Sequence, residues 1–237
     1  MLFRILFVFF AYVVAFPAVA QDTETPYDKE YIWGVNFNTN GGLIGGGIFR
    51  YGKHVNKNNY RIVELEIANV KHDKEFRTSS SITGNAFIYK KENYLIPIRF
   101  RYGRQYMLYA AAQEEGVRVD FLWAGGVALG IQKAYMVQYG NTDSTISIQP
   151  YNPYRSDDDI LGSASFLRGL NYIKIVPALN VKGGFIFQFV QFGGSVSGLE
   201  VGAMIEAYPH VIPILAQSYN RSVFTSIYIN LFYGTHK

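Results

Sequence analysis

The fold is decided by the stretch Ser222-Val-Phe-Thr-Ser-Ile-Tyr-Ile-Asn-Leu-Phe-Tyr233. Alternate residues form one largely apolar face: Val223, Thr225, Ile227, Ile229, Leu231 and Tyr233. The residues between them form a face that mixes aromatic rings with Ser226 and Asn230. A period of two is typical of a β-strand whose two faces meet different surroundings. We expect the first face to contact lipid and the second to point into a polar interior.

Seven further segments have the length and alternation of such strands: 31–38, 43–52, 61–70, 94–104, 119–132, 173–189 and 199–208. Segment 43–52 is too rich in glycine for its faces to be assigned. An open sheet edge would leave backbone groups unpaired in lipid. The sequence therefore predicts an all-β protein, a closed antiparallel transmembrane β-barrel of eight strands.

The composition agrees with a membrane barrel. Aromatic residues make up 16% of the chain and charged residues 17%, against roughly 25% charged residues in soluble domains. The absence of cysteine excludes a disulfide scaffold and a lipid-modified N-terminal cysteine. Without Arg4 the net charge of +4 falls by one to +3, too mild a charge to favour nucleic-acid binding.

The first twenty residues have the pattern of an export signal. Met1-Leu-Phe-Arg4 supplies a positive end, Ile5 to Phe16 an apolar run, and Ala18-Val-Ala20 a cleavage site. The run is shorter than the roughly 20 residues of a spanning helix, which disfavours the alternative of an uncleaved anchor. We expect cleavage before Gln21, a short polar segment over 21–30, a barrel over 31–237, and delivery to the outer membrane.

The connections between the predicted strands divide into outer loops and inner turns. The outer loops are 39–42, 71–92, 138–172 and 209–221, and the inner turns are 53–60, 105–118 and 190–198. Within the second turn, Arg104 to Gly116 contains good helix formers and predicts a short helix. The alternative is an extended strand end followed by a polar turn.

Charged residues on the inward faces form the most specific pattern. Glu64 and Glu66 precede Arg99 and Arg101, and a hairpin that pairs Glu64 with Arg101 also pairs Glu66 with Arg99. Lys174, Lys182, Glu200 and Glu206 extend this predicted lumen network on the far wall. We favour an ionic plug in a narrow barrel over a catalytic or transport site, because eight strands leave an interior that side chains just fill.

The longest outer loop, 138–172, is the predicted partner-binding loop. Its candidate anchors are Tyr151, Tyr154, Phe166 and Leu167, with Arg155 as a polar one. The competing interpretation is a lid that folds over the barrel mouth. The run from Asp157 to Asp159 is interpreted as a solvated loop tip rather than a cation site, because it lacks the alternating spacing of a calcium loop.

Enzymatic motifs are weak in this chain. The four histidines, His54, His72, His210 and His236, fall at predicted strand ends or in connections. Only His210 with Ser218 or Ser222 could supply a lipase-like pair. The glycine run 41–47 lacks the Lys-Ser/Thr of a phosphate loop. We therefore predict no enzyme activity, no cofactor and no metal.

The chain resembles the small eight-stranded outer-membrane barrels of the OmpA, OmpX and OmpW type in strand count, aromatic edges and charged interior. It is more closely similar to outer-membrane barrel proteins of Bacteroidota. That resemblance is carried by Tyr31-Ile-Trp-Gly-Val35, Gly116-Val-Arg-Val119, and Asn220-Arg-Ser-Val-Phe224 with Leu231-Phe-Tyr-Gly234. Asp143-Ser-Thr145 also matches the short O-glycosylation signal of that phylum. The chain departs from the type in continuing past Tyr233 with Gly-Thr-His-Lys.

The resemblance and the filled interior imply a non-enzymatic barrel. We expect a structural or accessory subunit of an outer-membrane assembly, with protein export or insertion as the candidate process, that contacts lipid and a protein partner. The alternatives are a barrel that binds or conducts a small solute, and a lipid-modifying barrel enzyme.

Overall fold

A computed structural model describes residues 28–56, 58–110, 117–140, 145–190 and 195–236. The predicted export signal and the Asp143-Ser-Thr145 match lie wholly or partly outside these residues. Thirteen strands lie within the described parts: β1 (Lys29–Asn38), β2 (Gly42–Asn56), β3 (Asn59–Ala68), β4 (Arg77–Ser79), β5 (Ala86–Ile88), β6 (Asn93–Tyr109), β7 (Val117–Ala134), β8 (Met136–Gly140), β9 (Ile146–Pro150), β10 (Ile160–Ser163), β11 (Ile173–Val190), β12 (Ser195–Ala207) and β13 (Val223–His236).

Eight of these strands form a closed antiparallel barrel in the order β1-β13-β12-β11-β7-β6-β3-β2. The first and last strands close it, with Trp33 opposite Tyr233 and Asn38 opposite Tyr228. Closure gives every strand two neighbours and leaves no free edge. The predicted fold class is confirmed. Among the described residues no helix is long and apolar enough to cross a membrane.

Each of the eight predicted segments overlaps one barrel strand, and the strands extend further at the inner end, where β1 begins and β13 ends. β2 and β3 are separated only by residues 57–58, so the predicted eight-residue turn 53–60 is wrong. The predicted helix Arg104–Gly116 is also wrong in its described part, because β6 continues to Tyr109. Tyr106 and Tyr109 pair with Phe121 and Val119, and this cross-strand pairing overrides helix propensity. Residues 111–116 lie outside the described parts.

The outward face of the barrel is apolar. It exposes residues from every wall: Trp33, Phe49, Val63, Phe100, Trp123, Leu179, Phe185, Ile205, Ile227 and Leu231. Pro177 lies on this face near the outer end of β11. The ladder between β11 and β12 begins only at Leu179, so at Pro177 the strand is paired on one side and the missing N–H is tolerated.

The outer connections fold into a cap above the barrel mouth. β4 and β5 form a hairpin, while β8, β9 and β10 form a three-stranded sheet from the longest connection. An apolar core joins these pieces and consists of Phe87, Tyr135, Val137, Tyr139, Tyr151, Ile160 and Ala216. The described part of the outer loop 138–172 is therefore packed into this cap, as the competing interpretation of that loop expects.

Candidate functional site

The centre of the barrel contains a buried cluster of four carboxylates and four cations, which we call the lumen cluster. Its members are Glu64, Glu66, Glu200, Glu206, Arg50, Arg99, Arg101 and Lys182, and all are buried. Four negative and four positive charges leave it formally neutral. Taking charges out of water is costly unless they are paired and hydrogen-bonded, so the contacts within the cluster determine whether it is stable.

The hairpin of β3 and β6 supplies half of the lumen cluster in the predicted register, Glu64 opposite Arg101 and Glu66 opposite Arg99. Arg101 Nη1 lies 2.7 Å from Glu64 Oε1 and 2.5 Å from Glu66 Oε2. Arg99 Nη1 lies 2.5 Å from Glu66 Oε1. Each of these guanidinium groups thus contacts a carboxylate of the adjacent strand, as the fork geometry of arginine favours.

The far wall completes the lumen cluster. Arg99 Nε donates to Glu206 at 2.6 Å, and Lys182 Nζ lies 2.8 Å from both Glu64 and Glu200. Arg50 bridges the same two carboxylates, with 2.6 Å between its Nη2 and Glu64 Oε2 and an ion pair with Glu200. The contacts span the lumen from β2 and β3 to β11 and β12, so the cluster ties opposite walls together.

Two tyrosines satisfy further carboxylate oxygens. The Tyr228 hydroxyl donates to Glu200 and the Tyr208 hydroxyl to Glu206, each at 2.8 Å. Arg101 Nε donates to Asn180 at 2.5 Å. These contacts pair most polar atoms of the lumen cluster inside the barrel, while Arg50 Nη1 and Asn180 Nδ2 have no hydrogen-bond partner among the described residues.

One predicted member does not join the lumen cluster. Lys174 has the inward parity of Asn180 and Lys182, but it lies near the outer end of β11 and its side chain is exposed. The prediction that Lys174 extends the network is therefore wrong. The alternation of residues along a strand determines which face a side chain lies on, but not how far along the barrel axis it lies. Arg50 was missed, since its glycine-rich strand had no assigned faces. Its position between the outward Phe49 and Tyr51 is the signal that could have identified it.

Apolar layers close the lumen above and below the lumen cluster. Toward the inner end lies a belt of Ile32, Tyr60, Ile62, Leu122, Ala124, Ile186 and Phe232. Toward the outer end, the connection after β12 places Ile212 and Ile214 into the mouth against Val70, Leu95 and Val176. The interior is a stack of packed side chains, as expected for eight strands.

A second polar group of residues, which was not predicted from the sequence, lies at the inner end. Gln188 donates to Glu30 at 2.6 Å, and His236 lies 3.2 Å from the same carboxylate. Arg118 pairs with Asp120 at 2.8 Å. Glu30 was missed because β1 begins at Lys29, two residues before the predicted strand.

The residues of the predicted partner-binding loop separate into two groups. Tyr151 is buried in the cap core, and Arg155 stacks 4.2 Å from the Tyr139 ring centroid and donates to the Gly140 carbonyl. Tyr154 is 96% exposed and Leu167 73% exposed, while Phe166 is half-exposed against Tyr94. Tyr151 and Arg155 therefore hold the cap together, and Tyr154, Phe166 and Leu167 are on its surface.

Burial in the cap shifts the pKa values of its titratable groups. Burial raises the pKa of Tyr151, and its hydrogen bond to Asp157 acts in the same direction. Burial likewise raises the pKa of Tyr139. Burial lowers the pKa of Lys91, and the opposing effect of Glu75, whose carboxylate lies 2.6 Å from Lys91 Nζ, only partly offsets it. Each of these three groups has a polar partner in the cap: Tyr151 donates to Asp157, Tyr139 accepts from the Asn152 N–H, and Lys91 pairs with Glu75.

The three acids at 157–159 and His210 lie in the outer connections. Asp157 accepts the Tyr151 hydroxyl and Asp159 pairs with Arg155, so two of the three acids serve the cap. No group of three potential metal ligands occurs within the described parts of the chain. The described contacts of His210 include no hydrogen bond to Ser218 or Ser222, and its side chain is exposed.

The closed strand order, the apolar outer wall and the interior filled by ion pairs and packed side chains define a small eight-stranded antiparallel β-barrel of the transmembrane type. No protein-family model and no curated protein sequence matches the chain. Among solved structures it is similar to Neisserial surface protein A (NspA), with 9% identity, coverage of 88% of this chain and 96% of NspA, and a TM-score of 0.39. It is also similar to Ail, the attachment invasion locus protein of Yersinia pestis, with 10% identity, coverage of 90% of this chain and all of Ail, and a TM-score of 0.40.

Proposed function

We propose that the protein is a non-enzymatic outer-membrane barrel that serves as a structural or accessory subunit of an outer-membrane assembly. The observation that carries this proposal is the filled lumen. Ion pairs cross it at its centre, and an apolar layer lies on each side of them. A barrel filled in this way acts through its outer surfaces. An assembly for protein export or insertion is the candidate, because the chain presents a folded platform rather than a passage.

The cap is the proposed docking surface. Its core packs strands from two outer connections against each other, and a packed scaffold loses less conformational entropy than an unstructured loop when a partner binds. Tyr154 and Leu167 project from this scaffold as large exposed apolar side chains. Aromatic and large aliphatic groups of this kind anchor protein interfaces.

Co-purification from native membranes after crosslinking tests the docking surface. A stoichiometric protein partner should be captured by the full-length chain and lost with the double variant Tyr154→Ser and Leu167→Ser. Tyr219→Ser is the matched control, because Tyr219 is also strongly exposed but belongs to the 209–221 connection. Capture that the double variant leaves unchanged would remove Tyr154 and Leu167 from the interface.

Planar-bilayer conductance tests the channel alternative in the same preparation. With paired charges and apolar layers across its lumen, the reconstituted barrel should give no steady conductance above the empty bilayer. Stable single-channel steps that disappear with the barrel unfolded would favour a solute pathway over a subunit role. A lipid-modifying activity that is lost on His210→Ala would favour the enzymatic alternative.

A further inference from the structure

A groove and a pocket meet at the outer end of the barrel wall. The groove has a volume of about 490 Å³ and lies on the outward face of β2, β3 and β6. Its lining is almost wholly apolar and includes Ile44, Ile67, Ile96 and Phe166. Because this wall faces lipid, the groove opens sideways into the outer leaflet.

The groove exists because β2 lacks side chains there. Gly47 is exposed on the outward face, and a Cβ built at this position would meet only the Gly34 carbonyl oxygen, at 3.8 Å. Phe166, from the connection that precedes β11, packs at 5.3 Å from Tyr94 between ring centroids and lines the groove with it. The glycine leaves the space, and the cap residue closes it on the outer side.

A polar pocket of about 170 Å³ shares Tyr94 with the groove. Arg77, Tyr135 and Ser163 are among the residues that line it. The two cavities therefore adjoin. The apolar groove lies at the depth of the lipid tails, and the polar pocket lies on the side of the cap. This division of surface matches a molecule that has an acyl chain and a polar headgroup.

A cation without an acidic partner lies beside this boundary. Lys133 is only 2% exposed, and its Nζ lies 4.6 Å from the Phe166 ring centroid and 5.5 Å from that of Tyr94. The ion pairs of the described residues include none with Lys133, whereas neighbouring Lys91 is paired with Glu75. The Lys133 ammonium is not among the fully buried polar atoms that lack a hydrogen-bond partner, so its tip reaches the surface beside the two rings. No carboxylate of the described residues neutralises it there, and an anion from outside the chain can approach it.

We propose that this composite site binds a phosphorylated glycolipid of the outer leaflet. One acyl chain occupies the groove at Gly47, a phosphate contacts Lys133, and the sugar headgroup lies against Tyr94, Arg77 and Ser163. Aromatic rings and hydroxyls suit a sugar face, and basic groups at the edge of a membrane wall bind anionic lipid headgroups. The cap then also fixes the position of the barrel against the lipid surface.

Native mass spectrometry of the folded protein, released from phosphatidylcholine nanodiscs, tests this site. With diphosphorylated lipid A as the probe, the wild-type chain should retain one lipid. Lys133→Met should lower the affinity for it roughly tenfold through loss of a charge-assisted contact. Gly47→Phe should lower it similarly by filling the groove. Lipid A without its phosphates should bind the wild type as weakly as diphosphorylated lipid A binds Lys133→Met.

Matched controls are available on the same barrel. Lys174→Gln removes an exposed outer lysine, and Gly183→Phe fills an outward position where a Cβ would also meet one backbone oxygen at 3.8 Å. Both should retain lipid A like the wild type. Phe166→Ala removes the ring from the groove without changing the barrel strands, and it replaces Gly47→Phe as the test if that variant fails to fold.

Three results would overturn the proposal. If Lys133→Met and the groove variant each retain lipid A as well as the wild type does, lipid A does not occupy this site. Equal binding of dephosphorylated lipid A would exclude recognition of the phosphate. Equal competition by phosphatidylglycerol would exclude recognition of the sugar.

Discussion

The ion pair between Glu66 and Arg99 offers the sharpest test of the lumen cluster. Glu66→Gln leaves the cluster with one excess positive charge, and Arg99→Gln leaves it with one excess negative charge. The double variant restores neutrality. Removing one partner of a buried pair costs roughly 3–5 kcal/mol, and each residue here keeps a second partner, Arg101 for Glu66 and Glu206 for Arg99. We therefore expect single losses near the lower end of that range.

The double variant should lose less stability than the sum of the single variants. Coupling between residues in one ion network amounts to roughly 0.5–3 kcal/mol, and the 2.5 Å contact between Arg99 Nη1 and Glu66 Oε1 places this pair in the upper half. The measurement is reversible urea unfolding of the barrel in lipid vesicles, followed by tryptophan fluorescence. Heat-modifiable migration on a denaturing gel shows that each variant has closed its barrel.

Lys174→Gln is the control in the same cycle. Lys174 is exposed, so its loss should change the free energy of unfolding by no more than about 0.5 kcal/mol. Its effect should add to that of Glu66→Gln. If Glu66→Gln and Arg99→Gln also add within error, the two side chains do not interact and the lumen cluster is wrong as described.

Two further outcomes follow from the cap and the barrel wall. Burial raises the pKa of Tyr139 and Tyr151 above the ordinary value of about 10. Above about pH 10 the unfolded cap therefore loses tyrosine protons that the folded cap keeps, so the free energy of unfolding of the cap falls as the pH rises. Proteolysis within 138–172 should therefore increase at alkaline pH while the barrel stays closed. In Tyr151→Phe the increase should begin at a higher pH. Cleavage that does not depend on pH would contradict this. Gly126→Ala should impair barrel assembly, because a Cβ there would overlap the backbone oxygen of Phe100, whereas Gly125→Ala, with its nearest contact at 3.6 Å, should assemble normally on the same gel assay. Equal assembly of the two variants would contradict the packing.

The strands of this protein were predictable because a period of two is a local property. Alternate residues of β13 face lipid and lumen. The same alternation holds for β3, which contains Glu64 and Glu66, and for β6, which contains Arg99 and Arg101. The register of those two strands also followed from the sequence, since the four charges between Glu64 and Arg101 have one arrangement that neutralises them. The inner turns were less predictable, because cross-strand contacts, such as that of Tyr106 with Phe121, extend strands beyond the point where the alternation is clear.

The depth of each residue along the barrel was decided only by the tertiary structure. Lys174 and Lys182 have the same parity, yet only Lys182 reaches the lumen cluster. Arg50 lies in a strand whose glycines conceal its pattern, and it enters the cluster because β2 pairs with β3 and opposes Glu64. The alternation along the sequence predicts the face of the barrel on which each side chain lies. It does not predict the position of the side chain along the barrel axis or the strands that it contacts across the lumen.

The cap likewise depended on contacts between distant segments. The sequence indicated apolar anchors in 138–172 and left open whether they met a partner or the barrel mouth. Tyr151 packs in a core that also includes Phe87 and Ala216 from other outer connections, whereas Tyr154 is exposed to solvent. Alternation by itself determined a closed barrel, because backbone groups in lipid must pair within the chain. The lid, the ion pairs across the lumen and the groove at Gly47 each needed three-dimensional packing, because their residues meet only after the barrel has closed.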